Sequence, residues 1–219
     1  MRYRSVKICG LTRQDDALWA VKQGADFLGM VMHPKSKRFC SFEQAKNINS
    51  ILNSRPRVLV YGKDPADYVL DLYNSLKDPL LFVQYPYESK DFLTVAKKIG
   101  SERLIPSFGV SPGFKPVDLE SLQQYAWIVL DTGGVKSVTG ETLDGGTGKT
   151  FDWNLAKNIE RPYFLAGGLN PDNVTEAAKS INPFGFDVAS GVEKSPGEKD
   201  SELVRLFIKN SRVFDNVEN

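Results

Sequence analysis

The segment DGGTGKT, at residues 144–150, has the glycines, lysine and threonine of a loop that binds a nucleoside triphosphate. Such a loop requires the pattern GxxxxGK[ST] directly after a strand. The position that needs the first glycine holds Leu143, and a long segment separates the motif from the preceding strand-like run. We therefore interpret the segment as a glycine-rich loop and expect its glycines to help cover a bound substrate.

Two other glycine-containing turns are better candidates for binding a phosphate group. AGGLNPDN (166–173) and ASGVEKSPGEKD (189–200) each follow a strand-like run. Glycine lets backbone N–H groups approach phosphate oxygens closely. In a βα barrel, the turns after the seventh and eighth strands commonly form such a site. We therefore expect a phosphate site at these two turns.

The composition argues against several classes of partner. Lysine and arginine (28) nearly balance aspartate and glutamate (27), so we expect no nucleic-acid partner. The two cysteines, Cys9 and Cys40, form no Cys-x-x-Cys or Cys/His cluster, so we expect neither a disulfide framework nor a metal site. Free thiols, the lack of a signal-peptide pattern and short apolar runs favour a cytoplasmic protein without membrane contact.

Short apolar runs that are typical of buried strands recur along the whole chain. They are VKIC (6–9), DFLGMVM (26–32), RVLVY (57–61), LLFVQY (80–85), RLIPSF (103–108), AWIVLD (126–131), YFLAG (163–167) and FDVASG (186–191). Segments with helix signals lie between them. Thr12 is the expected N-cap of a helix that ends at Gly24, Ser41 is the expected N-cap of the next, and Pro171 is expected in the first turn of a later one.

Strands that alternate with helices predict an α/β fold with a parallel sheet that is covered on both faces. An open doubly wound sheet and a closed barrel both fit this order. The number of units and the chain length favour a single (βα)8 TIM barrel with eight parallel strands, in one domain over residues 1–219.

In such a barrel, chemistry is expected at the carboxyl ends of the strands. These positions are Cys9, Met32, His33, Tyr61, Gln84, Tyr85, Ser107, Asp131, Gly167, Gly168, Ser190 and Gly191. The periodicity therefore places one thiol, one carboxyl group and two glycine-containing turns at the same end of the barrel.

Five blocks of the sequence together resemble one enzyme family, phosphoribosylanthranilate isomerase of tryptophan biosynthesis. The blocks are VKICGLT (6–12), MHPKSKRF (32–39), DGGTGKTFDW (144–153), FLAGGLNPDNV (164–174) and DVASGVEKSPGEKD (187–200). Their order and spacing match the family along nearly the whole chain. The resemblance implies an eight-fold βα barrel that converts N-(5-phosphoribosyl)anthranilate to the open-chain 1-deoxyribulose 5-phosphate form, with no cofactor and no metal.

The resemblance also implies roles for individual residues. Cys9 matches the general base of the family, and Asp131 matches its general acid. Arg38 matches an arginine that contacts the anthranilate part of the substrate. Four residues match the phosphate-binding turns: Gly167, Gly168, Ser190 and Gly191. The implied partner is a small phosphorylated substrate, and we expect a monomer or a homodimer.

One block departs from the pattern of the family. Where the family has a Gln-Leu-His-Gly-type run after the fourth strand, this chain reads VQYPYES (83–89). Gln84 fits that run, whereas Tyr85, Pro86 and Tyr87 replace the rest. The block PSFGVSPGFKP in the fifth unit is also unusual. The departure concerns substrate contacts near strands four and five and does not involve the acid or the base.

The implied reaction is an Amadori rearrangement, which needs an acid and a base on opposite sides of the sugar. An ordinary thiol is mostly protonated at neutral pH, so we expect the pKa of Cys9 to be lowered, with Lys7 on the same side of the strand as its partner. We expect Asp187 to pair with Lys7, since a buried lysine needs a counter-charge. Apolar neighbours are expected to keep Asp131 partly protonated.

Other functions also fit parts of the sequence. One alternative is a barrel that binds a phosphorylated ligand but is catalytically inactive or acts on another phosphoribosyl substrate; another is a nucleotide-binding switch built on GGTGKT. Taken alone, Cys9 fits a core residue, Asp131 a turn residue and Arg38 a solvated charge. We interpret His33, the single histidine, as a loop residue and Cys40 as structural.

Overall fold

The computed structural model describes residues 4–52, 54–76, 78–110, 122–131, 153–157 and 159–212. Eight parallel strands form a closed barrel in which each strand pairs with the next and β8 pairs with β1. The strands are β1 (Ser5–Ile8), β2 (Phe27–Val31), β3 (Arg57–Val60), β4 (Leu81–Pro86), β5 (Leu104–Gly109), β6 (Ile128–Asp131), β7 (Tyr163–Ala166) and β8 (Gly185–Val188). The closure confirms the predicted barrel and excludes the open sheet. Each of the eight apolar runs supplies one strand.

Helices cover the outside of the barrel in the part of the chain that is described. They are α1 (Gln14–Gln23), α2 (Phe42–Ile51), α3 (Ala66–Leu76), α4 (Phe92–Ile99), α5 (Val174–Ser180) and α6 (Ser201–Ser211). A short antiparallel pair, β9 (Glu193–Ser195) and β10 (Glu198–Lys199), follows β8. None of the described helices is long and apolar enough to cross a lipid bilayer.

The predicted helix ends at Gly24 and Ser41 are confirmed. Gly24 has a φ of 97° and donates its N–H to the last carbonyls of α1, which ends the helix. The Ser41 side chain accepts from the N–H of Gln44, whose side chain bonds back to the N–H of Ser41, and this reciprocal capping fixes the start of α2.

Two predicted helix starts are wrong. Thr12 does not cap α1, because its hydroxyl donates to the carbonyl of Gly197 at 2.7 Å, and the N-cap position is taken by Arg13. Pro171 precedes α5 instead of lying in its first turn. The Asn170 side chain accepts from the N–H of Asn173 at 3.1 Å and holds this segment as a turn before the helix begins.

Apolar side chains fill the barrel interior near the starts of the strands. Phe27 is the centre of an aromatic cluster there, with ring centroids 5.1 Å from Phe164 and 5.3 Å from Trp127. A larger apolar core lies between the strands and the helices. Because the interior is closed by these rings at one end, polar groups on the inner face concentrate towards the carboxyl ends of the strands. A single domain over residues 1–219 stays a prediction.

Candidate active site

The closed barrel brings the ends of β1 and β6 to the same rim, because all eight strands run in one direction. Cys9 directly follows β1; its N–H donates to the carbonyl of Val188 at 2.8 Å, and its side chain is buried. Asp131 is the last residue of β6 and is half-buried. Its carbonyl accepts from the N–H of Val110 at 2.7 Å, which fixes the end of β6 beside β5. The fold therefore sets a thiol and a carboxyl group around one opening.

A glycine in β2 provides the space that the Cys9 side chain occupies. A Cβ atom at Gly29 would lie 2.7 Å from Cys9 Sγ and 3.1 Å from its Cα, closer than such atoms approach. Gly29 is not among the residues predicted from the sequence to belong to the site. The available signal was a glycine inside an apolar strand run, which often marks a close approach of a neighbouring chain segment.

The predicted ion pair between Lys7 and Asp187 is present. The two residues are register partners on β1 and β8, and Lys7 Nζ lies 2.7 Å from Asp187 Oδ2. Both side chains are almost fully buried, at 1% and 6% exposure. Burial lowers the pKa of Lys7, but Asp187 and Cys9 outweigh it and raise the pKa overall. Lys7 is therefore a charged ammonium beside the thiol.

The expected lowering of the pKa of Cys9 is wrong for the protein without substrate. Burial raises the pKa of the Cys9 thiol; Lys7 acts in the opposite direction and Asp187 adds to the rise. Because Asp187 is paired with Lys7, much of the benefit of that lysine is cancelled at Cys9. The physical reason is that a buried thiolate loses its water shell, and one lysine bound to a carboxylate does not replace it.

Arg38 is held by the carboxylate of Glu193, which was not among the predicted site residues. Glu193 Oε2 accepts from Arg38 Nη2 at 2.8 Å, and Glu193 Oε1 accepts from Lys199 Nζ at 2.8 Å. The Arg38 side chain also packs against Gly10, where a Cβ atom would lie 2.8 Å from Arg38 Cδ. Arg38 is thus a fixed, mostly buried guanidinium, not the solvated charge that its sequence context alone would suggest.

The two glycine-containing turns lie against each other. Gly167 and Gly168, directly after β7, have φ values of 93° and 65°, a region that glycine adopts without strain. A Cβ atom at Gly191 would lie 1.9 Å from the carbonyl oxygen of Leu169, so only glycine permits the contact. Ser190 precedes Gly191 in a short 3-10 helix after β8. The four residues predicted to bind phosphate are therefore brought together.

The family model of N-(5'phosphoribosyl)anthranilate (PRA) isomerase matches residues 6–210. The chain belongs to this family. A relative named N-(5'-phosphoribosyl)anthranilate isomerase, from Thermotoga maritima, is 40% identical over 216 residues and covers 94% of this chain and 98% of its own length. The relative of the same name from Aquifex aeolicus is 36% identical over 212 residues, with the same coverage.

Solved structures of phosphoribosylanthranilate isomerases share the fold. The enzyme from Thermus thermophilus has a TM-score of 0.77 and 30% identity, covering 96% of this chain and 98% of that one. Another, in complex with reduced 1-(o-carboxyphenylamino)-1-deoxyribulose 5-phosphate, has a TM-score of 0.74 and 35% identity, covering 95% and 98%. The predicted fold, family and enzyme class, an isomerase of tryptophan biosynthesis, are confirmed.

The VQYPYES block (83–89), which departs from the family pattern, helps to fix the carboxylate that pairs with His33, the single histidine. The hydroxyl of Tyr85 donates to the carbonyl of Asp64 and lies 2.9 Å from Ser89 Oγ. Asp64 Oδ1 in turn lies 2.8 Å from His33 Nδ1, and its Oδ2 accepts from the N–H of Gly62 at 2.9 Å. His33 is in the loop after β2, as expected, but its imidazole is oriented by a buried carboxylate. No local sequence pattern indicates this arrangement, because Tyr85 lies in β4 whereas His33 and Asp64 lie in the loops after β2 and β3.

Two parts of the predicted site lie outside the described residues. These are the glycine-rich loop at 144–150 and the second half of the PSFGVSPGFKP block. Cys40 is fully buried, and burial raises its pKa to about 12, which agrees with its interpretation as structural.

Proposed function

We propose that this chain catalyses the Amadori rearrangement of N-(5-phosphoribosyl)anthranilate to 1-(2-carboxyphenylamino)-1-deoxyribulose 5-phosphate, with Asp131 as the general acid and Cys9 as the general base. One observation carries the pairing of these two groups: the closed parallel barrel sets the end of β1 and the end of β6 on one rim. Family membership supports the reaction, and the resemblance of the sequence blocks around Cys9 and Asp131 to the family supports their separate roles as base and acid.

In the first step the Asp131 carboxyl group gives its proton to the ring oxygen of the ribose. The bond between that oxygen and C1 breaks, its electron pair stays on the oxygen, and the amine nitrogen lone pair forms a C=N bond. Ring opening thus gives a protonated Schiff base and leaves Asp131 as a carboxylate. A positioned acid of this kind speeds such a step by about 10²- to 10⁴-fold.

In the second step the Cys9 thiolate removes the proton from C2 of the open sugar. The C–H electron pair becomes a C1=C2 double bond, and the nitrogen takes back the electrons of the C=N bond. The resulting enolamine tautomerises: its C2 hydroxyl gives a proton to solvent and C1 takes one from solvent, which gives the ketone product. The proton on the Cys9 thiol passes to solvent and the Asp131 carboxylate takes one back, so both groups regain their starting states. The overall reaction neither gains nor loses atoms, so no co-reactant is required.

The two ends of the substrate have matching groups at the rim. Backbone N–H groups of the turns after β7 and β8 suit a phosphate, because glycine leaves them open to close approach. Arg38, fixed by Glu193, suits the planar anthranilate group with its carboxylate. These two contacts hold the sugar between Cys9 and Asp131, and such orientation is itself a large part of catalysis.

One of the similar solved structures shows monomers that were generated from the dimeric phosphoribosylanthranilate isomerase of Thermotoga maritima. We propose that this chain is a monomer or a homodimer whose barrel carries a complete set of catalytic groups, and that it works in the cytoplasm without nucleic acid.

Turnover of the fluorescent anthranilate substrate tests the proposal. We expect the wild-type chain to consume it, and both Cys9→Ala and Asp131→Asn to lower kcat by about 10²- to 10⁴-fold, since each removes one proton-transfer group. Cys40→Ala is the matched control, because it removes a buried thiol at another position, and it should retain turnover.

The result that would contradict the proposal is a folded wild-type chain without turnover that still binds the reduced product analogue; this would favour a ligand-binding barrel. Full turnover in Cys9→Ala or Asp131→Asn would instead show that the reaction is correct and the assigned acid or base is wrong.

A further inference from the structure

A second buried ion cluster lies beside Cys9, and the catalytic steps above do not use it. The Glu193 carboxylate bonds to Arg38 Nε at 3.0 Å and Nη2 at 2.8 Å, and to Lys199 Nζ at 2.8 Å. The side chains of Lys199 and Glu193 are only 2% and 5% exposed. Burying charged groups costs free energy of desolvation unless they are well paired. A buried cluster next to a reactive group is therefore a candidate for a functional role.

Lys199 is connected to the strand that holds Cys9 in place. Its Nζ also donates to the carbonyl of Ala189 at 3.0 Å. Ala189 directly follows Val188, and the carbonyl of Val188 accepts the N–H of Cys9 at 2.8 Å. The ammonium group is therefore fixed by two acceptors, one on β9 and one at the end of β8, next to the peptide that binds Cys9.

The described charged groups around Cys9 carry a net positive charge. Lys7 from β1 and Lys199 from β10 favour the thiolate, and Asp187 from β8 disfavours it. Asp187 is bound to Lys7, and Glu193 is shared between Lys199 and Arg38. These three cations and two carboxylates leave one positive charge in excess while Cys9 is a thiol, and a thiolate balances that charge.

We propose that Lys199 is a positioning residue for the catalytic base: held by Glu193 and by the Ala189 carbonyl, its ammonium stabilises the Cys9 thiolate. The same Glu193 carboxylate binds Arg38. Glu193 therefore positions both Lys199, which stabilises the base, and Arg38, which is to bind the anthranilate group. This inference rests on the proposed role of Cys9 and adds a residue to it.

Glu193 has a further part in this arrangement. Burial lowers the pKa of Lys199; the pairing with Glu193 acts against this but leaves the pKa below its ordinary value. Burial likewise disfavours the Glu193 carboxylate, but its bonds to Arg38 and Lys199 outweigh this and lower its pKa. Glu193 thus favours the protonated form of Lys199, against the burial that disfavours it.

The test is the pH dependence of kcat/KM and of the ultraviolet absorbance of the Cys9 thiolate, measured for Lys199→Met. We expect both titrations to move upwards by about one pH unit, which lowers kcat/KM near neutral pH by up to about tenfold, since the greater basicity of the thiolate offsets part of the loss. Lys199→Arg should restore both, because it keeps the charge. Lys194→Met is the matched control, since it removes an exposed lysine from the same hairpin, and it should change neither.

Lys199→Gln is a second uncharged variant that keeps a donor for Glu193, in case Lys199→Met does not fold. Folded uncharged variants whose two titrations coincide with the wild type would overturn the proposal. The absorbance titration separates this outcome from failure of the proposed function. If Cys9→Ala retains turnover, Cys9 is not the base, yet a shifted thiolate titration still shows that Lys199 sets its protonation state.

Discussion

Cys9 combines low acidity with high basicity, and the same surroundings cause both. Burial raises the pKa of the thiol and the ammonium groups of Lys7 and Lys199 moderate that rise. Only a small fraction of the protein molecules have Cys9 as a thiolate at neutral pH. A thiolate whose conjugate acid has a high pKa is, however, a stronger base and removes a proton more readily. The small ionised fraction is thus partly offset by greater strength, which suits the removal of a proton from carbon.

Gly29 positions this base by leaving space for it. We predict that Gly29→Ala lowers kcat by about 10²-fold, because its Cβ would lie 2.7 Å from Cys9 Sγ and must displace it. Steady-state kinetics with the fluorescent substrate give kcat and KM, and chemical denaturation reports the stability of the fold.

The matched control is Gly24→Ala, which strains a positive φ at the end of α1 without contact with the rim. It should cost stability and leave kcat unchanged. A Gly29→Ala variant with wild-type kcat would mean that the exact position of the thiol is unimportant, and it would weaken the assignment of Cys9 as the base.

At the residue level the sequence locates the thiol and the carboxyl group but not the ions around them. Cys9 and Asp131 end strand-like runs, so alternation and the barrel hypothesis place them at the rim. Lys199 and Glu193 lie in a charged loop where each has the pattern of a solvated residue. Only the path of the hairpin back over β8 buries them, and that path depends on long-range packing.

At the level of elements, the turns that follow β7 and β8 contact each other and together form the proposed phosphate site. We predict that Gly191→Ala weakens binding of inorganic phosphate and of the product by about ten- to a hundredfold, because its Cβ would lie 1.9 Å from the Leu169 carbonyl and separates the turns. This loss corresponds to one charge-assisted hydrogen bond. Competitive inhibition by inorganic phosphate measures it.

Gly100→Ala provides the comparison for this prediction, since Gly100 also has a positive φ but ends α4 before β5, at the opposite side of the barrel. It should leave phosphate inhibition unchanged. Equal inhibition of the wild type and Gly191→Ala would place the phosphate elsewhere.

Among the features of the helices and strands, the residues at which helices begin are predicted least well from the sequence. Ser41 caps α2 because its partner Gln44 is local. Thr12 has the same capping chemistry, but it lies next to the β9–β10 hairpin and donates to Gly197 instead. A contact between the two ends of the chain has overridden a local preference, and no local pattern records such a contact.

At the scale of the whole molecule, closure of the barrel makes the site possible. The pairing of β8 with β1 sets Asp187 beside Lys7 and the β8 carbonyls beside Cys9. The sequence predicts the number and order of strands well, since each run has its own apolar pattern. The number of units and the chain length favour the closed barrel over the open sheet, but the pairing of β8 with β1 that closes it joins distant segments and has no local sequence pattern.

The pH profile of the residual kcat/KM of Asp131→Asn, compared with the thiolate absorbance of Cys9, tests the central claim most directly, because this variant lacks the acid that titrates alongside the base. A base with a raised pKa predicts that the residual kcat/KM increases about tenfold per pH unit upwards from neutral pH, in step with the thiolate signal. The account is contradicted if the residual kcat/KM is already constant across neutral pH while Cys9 is still a thiol.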